Sequence, residues 1–335
     1  DRLEKIMSKK PKGLDLITLI VNIFRNKEGK QLDFESRPYW KQIYKEKSRY
    51  LVLMTSRQIG KSIFQAVRIL FEMLVKKGSS ILLANAKEEQ SKKFRQQNLL
   101  PQILRNPKLK RAAFGKGSIN NAKMMKFSNG STLYMEHIGT SADAARGPSA
   151  TTIIVDEVQD IPRGNVDVVM ESAANFPKDS KYSFSGTCKD DRNIMYQLFL
   201  DTCQYEWIIP CETCNDDTPP IGMEHIDLER EYLFCPECKE PINTLEGHWV
   251  AQNPKCKRAG YRIPRLIDSN TVWRNSADGI LDKYEMYSRN EFLNDVMALP
   301  SIQGEALITL QELESFCEDR PMMNPDNVPM EEIRG

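Results

Sequence analysis

The sequence predicts an α/β fold built on a mainly parallel sheet, and three stretches carry that expectation. The apolar run Arg49-Tyr50-Leu51-Val52-Leu53-Met54 is followed by a turn and then by Ile63, Ala66, Val67, Leu70, Phe71, Leu74 and Val75 at helical spacing. A second run, Ser80-Ile81-Leu82-Leu83-Ala84, comes next and leads into a long polar helix. A third, Thr151-Thr152-Ile153-Ile154-Val155, ends in Asp156-Glu157. Strands alternating with helices at this spacing imply βαβ crossovers, which cover a parallel sheet with helices on both faces.

A chain of 335 residues is long enough for two domains, or for one large domain with an insertion. Its net charge of +1 provides no global field directed at nucleic acid or a membrane, so any such signal must be local. Residues 14–24 are the most apolar N-terminal stretch, but they include Asp15 and Asn22 and are too short to span a bilayer. No cleavable signal pattern precedes them, and the chain reads as cytosolic. Eight cysteines in that setting argue for metal or free thiols rather than disulfides. The chain begins with Asp and ends in an acidic, proline-containing tail, so it reads as an excised piece of a longer protein.

The expected organisation is a helical extension over 1–34, a core over 35–205, a cysteine ribbon over 206–250, a return strand with two helices over 251–300, and a linker over 301–335. A short amphipathic helix is expected at 14–25. The group Pro38-Tyr39-Trp40-Lys41-Gln42 lies one short helix before the first strand, where ATPases often hold adenine, although an aromatic there also suits plain packing.

The turn Thr55-Ser56-Arg57-Gln58-Ile59-Gly60-Lys61-Ser62 matches a phosphate-binding loop at its second glycine, lysine and serine, while Thr55 stands where the first glycine would be. A strand before such a loop and a helix after it aim backbone N–H groups at phosphate, with Lys61 placed for the β- and γ-phosphates and Ser62 for Mg²⁺. A second nucleotide element requires what the third strand offers: Asp156 to hold Mg²⁺ and Glu157 to polarise the attacking water. A further strand, Lys181-Tyr182-Ser183-Phe184-Ser185-Gly186-Thr187, ends in small hydroxyl residues suited to sensing the γ-phosphate.

Between 87 and 126 stand eleven Lys and Arg against Glu88 and Glu89, a footprint for a phosphate backbone that a solvated helix face would equally explain. Lys92, Lys93, Lys110 and Arg111 are the residues assigned to DNA. Asn129-Gly130 between strand-like flanks predicts a hairpin.

Cys211-x-x-Cys214 and Cys235-x-x-Cys238, twenty residues apart, form the most specific spacing in the chain and predict a four-cysteine Zn²⁺ site. Ten acids against Arg230 and Lys239 between 211 and 247 would repel phosphate, so the ribbon reads as structural or protein-docking. Cys188, Cys203, Cys256 and Cys317 have no such partners and read as packed thiols, and His225 and His248 as surface or packing residues.

Taken together, Ser-Arg-Gln-Ile-Gly-Lys-Ser, the Ala-Arg-Gly loop before Ile-Ile-Val-Asp-Glu, the strand-end Ser-Gly-Thr and the region Asn290-Glu291-Phe292-Leu293 resemble the large subunit of tailed-bacteriophage terminases over roughly residues 35–300. The inserted ribbon is similar to that of one branch. The resemblance implies an ATP-hydrolysing motor of the additional-strand P-loop class that packages viral DNA. A nuclease domain would follow a linker, and no nuclease activity is expected of residues 1–335.

By resemblance, Ser56, Arg57, Gln58, Gly60, Lys61, Ser62 and Asp156 hold ATP and Mg²⁺, Glu157 acts on water, and Ser185, Gly186 and Thr187 form a coupling motif. Either Arg57, from its own loop, or Arg146, reaching a neighbouring subunit's ATP, would be the arginine finger, and the adenine segment aligns around Tyr39 and Gln42. Implied partners are double-stranded DNA, a portal ring, a small terminase subunit and further copies in a ring, in the host cytoplasm and with no membrane. The isolated domain would be monomeric and slow. A DNA helicase and a non-hydrolysing zinc-ribbon scaffold are the competing readings.

Overall fold

The computed structural model describes residues 15–143, 147–275 and 278–301. α1 (Leu16–Ile23) and α2 (Tyr39–Lys45) precede β1 (Tyr50–Thr55), and α3 (Lys61–Val75) follows it. β2 (Ser80–Asn85) leads into α4 (Glu88–Phe94), a π-helical turn at Arg95–Leu99, α5 (Leu100–Arg105) and α6 (Pro107–Ala113). The long polar helix is therefore real, but it is interrupted by the π turn and broken ahead of Pro107. Next come β3 (Ile119–Asn120), β4 (Met124–Lys126) and β5 (Thr132–His137). After them stand β6 (Thr152–Asp156), α7 (Arg163–Glu171), β7 (Lys181–Gly186), α8 (Ile194–Leu200) and β8 (Tyr205–Ile208). The short pair β9 (Ile226–Asp227) and β10 (Tyr232–Leu233) precedes β11 (His248–Ala251), β12 (Ala259–Ile263), α9 (Ile280–Met286) and α10 (Arg289–Asp295).

The main sheet runs β11-β8-β12-β1-β7-β6-β2-β5-β4-β3. From β8 to β5 every neighbouring pair is parallel, and the antiparallel pairs lie at the two edges. The Asn129-Gly130 connection closes the β4–β5 hairpin, with Gly130 at φ 86°. Strand β7 lies between β1, which feeds the phosphate-type loop, and β6, which ends in Asp156. That interposed strand is what the additional-strand class means.

Strands buried on both faces explain the unbroken apolar runs of the sequence. Leu51, Leu53, Ile81, Leu83 and Ile154 enter one core, together with α1, α2 and α3. Val52, Met54, Leu82, Ala84, Ile153 and Val155 enter the other, under α7 and α8. Helix α3 buries Phe64, Ala66, Val67, Ile69, Leu70 and Met73, whereas Val75 is exposed. Its buried face is thus turned slightly from the predicted stripe, with Trp40 and Tyr44 of α2 packed on Phe64.

The cysteine ribbon begins and ends inside the main sheet, since β8 and β11 are paired sheet strands. The excursion proper covers residues 209–247, narrower at both ends than 206–250. Ile209, Ile221, Ile226 and Leu233 belong to the same core as Trp207, Trp249 and Tyr261, so the excursion packs against the sheet edge.

Candidate nucleotide site and cysteine cluster

β1 ends at Thr55, whose hydroxyl donates to the Gly186 carbonyl at the end of β7, 3.5 Å away. Position 55 is still strand, and the left-handed turns fall instead at Gln58 (φ 62°) and Gly60 (φ 93°). Glycine is needed at 60, where φ is one that L side chains rarely adopt, and not at 55. Three bonds hold the loop: the Ser56 N–H to the Ile263 carbonyl (2.9 Å), the Arg57 N–H to the Asp295 carbonyl (3.0 Å), and Trp40 Nε1–H to the Ile59 carbonyl (3.1 Å). α3 begins immediately after Gly60, so its first N–H groups, unpaired within the helix, open on the cleft.

Lys61 Nζ lies 2.9 Å from Asp156 Oδ1 and 2.6 Å from Glu157 Oε1. Burial depresses the lysine pKa, but the two carboxylates outweigh it and the net shift is upward. Burial raises Glu157 and the Lys61 charge reverses that, so its carboxyl is held below the usual range. Lys61 and Glu157 are therefore both held in their charged forms at neutral pH. Asp156 Oδ1 also accepts from Ser185 Oγ (2.8 Å), from the Glu157 N–H (3.0 Å) and from Gln65 Nε2 (3.4 Å), and Gln65 in turn bonds Ser185 Oγ. Glu157 has a left-handed backbone (φ 54°), a conformation that costs a non-glycine residue about 1–3 kcal/mol and recurs at active sites.

These groups form the floor of a cleft of about 1470 Å³. One wall carries Phe34, Arg37, Trp40 and Tyr44, and another carries Gln90, Lys93 and Asn98 from α4 and the π turn. Ser56 Oγ and Asn98 Oδ1 are buried there without a hydrogen-bond partner, as expected of polar atoms awaiting a polar ligand.

Cys211, Cys214, Cys235 and Cys238 bring their sulfurs within 4.8 Å of one another, with 3.6 Å between Cys211 and Cys238. Tetrahedral Zn²⁺ with ~2.3 Å bonds to sulfur would separate the sulfurs by ~3.8 Å, so the donor set fits that ion in both chemistry and spacing. Two matching turns hold the pairs. The Asn215 N–H donates to the Cys211 carbonyl and the Lys239 N–H to the Cys235 carbonyl, and Asn215 (φ 58°) and Lys239 (φ 65°) are both left-handed. The backbone N–H groups of Cys214 and then Thr213 lower the Cys211 thiol, whereas hydrogen bonds within the cluster raise that of Cys214, as expected of thiols that share protons.

A family model described as phage terminase large subunit gpA, ATPase domain, matches residues 31–254. The chain belongs to this family. It carries the ATPase domain of a phage terminase large subunit. The large terminase ATPase domain of Thermus phage P74-26 superposes on the chain with a TM-score of 0.53 and 14% identity, over 82% of this chain and 96% of that one. An arginine-to-alanine variant of the same domain gives 0.54 at the same identity and coverage. The HK97 bacteriophage large terminase gives 0.46 and 14% identity, over 55% of this chain and 40% of that one. At these identities the P74-26 likeness speaks to the fold. No curated protein matches the chain.

Within the terminase domain, Ser56, Arg57, Gln58, Gly60, Lys61, Ser62, Asp156, Glu157 and Thr187 line one cleft, with Ser185 and Gly186 beneath it. Arg57 Nε lies 3.2 Å from Asp295 Oδ2, so it is paired with the end of α10. Arg146 lies outside the described residues. Tyr39 and Gln42, the residues expected near adenine, lie away from the cleft. Tyr39 is wholly buried, Gln42 is exposed and approaches the Tyr261 hydroxyl at 3.5 Å, and neither lines the cleft. Trp40 and Tyr44, one helical turn apart on α2, line it instead, because a one-residue offset rotates a helix position by about 100°.

The four DNA-assigned residues lie on two helices. Lys92 is paired with Glu88 at 2.9 Å, Lys93 lines the cleft, and Lys110 and Arg111 are exposed on α6. Sequence reasoning missed Gln65, Gln159 and Asp295. Gln65 sat among the apolar positions of a predicted core helix, and Asp295 becomes a neighbour of the loop only through tertiary folding.

Proposed function

We propose that this domain hydrolyses ATP in the cleft and couples turnover to translocation of double-stranded DNA into a procapsid. The observation that carries the reading is the triad of Lys61, Asp156 and Glu157, in which the lysine after the loop is held by two carboxylates at the end of β6, one strand removed from β1. With a triphosphate bound, Lys61 would exchange those carboxylates for β- and γ-phosphate oxygens, beside the loop N–H groups of residues 58–62. Ser62 and Asp156 would hold Mg²⁺ through hard oxygen donors, and the ion would neutralise charge on the phosphate oxygens. Glu157, released from Lys61, would orient and polarise the attacking water. The base would lie toward Trp40 and Arg37.

Arg57 would have to leave Asp295 to reach phosphate, whereas Arg146 would serve a neighbouring subunit in an assembled ring. Ser185, Gly186 and Thr187 would carry the state of the phosphate site outward. Zn²⁺ on the four cysteines has a structural role, because that ligand set leaves no open position. The portal ring, the small terminase subunit and the host cytoplasm complete the setting. No helix among the described residues is long and apolar enough to cross a membrane.

The test is phosphate release from MgATP, with and without linear duplex DNA, beside Lys61→Ala and Glu157→Ala. Loss of turnover in both variants is the expected result. Wild-type rates in either variant would remove it from the machinery and overturn the reading.

A further inference from the structure

We propose that Gln159 is a positioning residue: its side-chain amide holds the Glu157 carboxylate in place for catalysis and ties it to the end of β7. The inference rests on Glu157 acting on water, as proposed above. Gln159 lies in the short 3-10 turn Val158–Asp160 that follows the Asp156-Glu157 pair. Its Nε2 donates to Glu157 Oε2 at 2.6 Å, and its Oε1 accepts the Thr187 N–H at 3.2 Å. Both ends of one amide are thus used. A flipped amide would set its NH₂ against an N–H and its oxygen against a carboxylate, so the orientation is determined.

Gly186 supports the same arrangement from the other side. A Cβ at position 186 would stand 2.0 Å from Gln159 Oε1, and Gly186 is not among the left-handed glycines. A side chain at 186 would therefore displace the Gln159 amide from this position, so glycine there leaves room for the amide rather than serving backbone freedom. Beyond it the path is continuous. The Gln159 carbonyl accepts from Asn193 Nδ2 (3.2 Å), Asn193 caps α8, Asp160 pairs with Lys189 (2.7 Å), and the Lys189 carbonyl accepts the Ser301 N–H (2.8 Å).

The two oxygens of Glu157 divide the work. Oε1 is held by Lys61 and Oε2 by Gln159. When Lys61 turns to phosphate, Gln159 is the partner that keeps the carboxylate aimed. Any shift of the carboxylate then moves the Thr187 amide, inside the segment assigned to coupling.

The test uses the full chain with linear duplex DNA. Gln159→Glu keeps an acceptor for Thr187 but sets a second negative charge against Glu157. Its kcat should fall about 10²-fold with KM for MgATP within about two-fold of wild type, the pattern of a misplaced reacting group with intact binding. Gln159→Met keeps the bulk and removes both bonds. It should lose kcat with KM for MgATP little changed, and amide exchange at Thr187 should quicken in the protein without nucleotide.

Wild-type kcat in both Gln159 variants, beside an inactive Glu157→Gln, overturns the inference and leaves the catalytic reading standing. Full turnover in Glu157→Gln overturns that reading. Unchanged exchange at Thr187 in Gln159→Met overturns the bridge itself.

Discussion

Arg262 shows at the level of one residue how the sheet, the ribbon and the C-terminal helices are joined. It is buried on β12, where Nε meets both oxygens of Glu206 at 2.7 and 2.8 Å, Nη1 donates to the Met297 carbonyl and Nη2 to the Ile221 carbonyl. A buried ion pair adds little net stability, but breaking one leaves an uncompensated charge. Arg262→Met should therefore destabilise by about 3–5 kcal/mol, and adding Glu206→Leu should recover most of that loss. Denaturant unfolding of the single and double variants reads this directly. Equal stability of the single variant and wild type would contradict it. Nothing in Gly260-Tyr261-Arg262-Ile263 marks this arginine as buried, because its partners lie 35 to 56 residues away.

At the scale of elements, the ribbon was legible because Cys-x-x-Cys spacing is local. Each pair closes within one turn, and only the meeting of the two pairs is tertiary. Its contacts with Trp207 and Trp249 were not legible. Trp207 Nε1 donates to the Thr244 carbonyl at 3.0 Å, and Trp249 Nε1 to the Tyr39 carbonyl at 2.9 Å, so the ribbon's roots are locked onto α2 and the sheet edge. Native mass spectrometry should find one Zn²⁺ per chain. Cys214→Ser should lose it and lower the melting temperature, with a change in tryptophan emission. Metal-free protein with an unchanged Tm would rule out the structural role. Helix α2 illustrates the opposite case, since the aromatic cluster was visible in sequence but the side facing the cleft was not.

On the scale of the molecule, the near-neutral total charge hides a basic segment and an acidic ribbon. Neutralising Lys92, Lys93, Lys110 and Arg111 together should weaken duplex binding and flatten its dependence on salt, because each lost phosphate contact removes a released counterion. Titrations at several salt concentrations measure the slope. An unchanged slope would move the DNA face elsewhere. Lys93 also lines the nucleotide cleft, so its single variant should alter MgATP binding as well, an effect not expected of Lys110.

What the sequence by itself determined is local: the strand–loop–helix around Lys61, the Asp156-Glu157 strand end, the cysteine pairs and the alternation that makes the sheet parallel. Each is written in residues within a few turns of one another, where backbone geometry and hydrophobic period act directly. Strand order was decided only by the tertiary structure, which set β7 between β1 and β6 and so placed Gly186 and Thr187 beside Gln159. Tertiary packing likewise brought Asp295 to Arg57, 238 positions away in sequence, and turned Trp40 rather than Tyr39 to the cleft. Side-chain direction and long-range pairing depend on the packing of whole layers, and no short window of sequence contains that information.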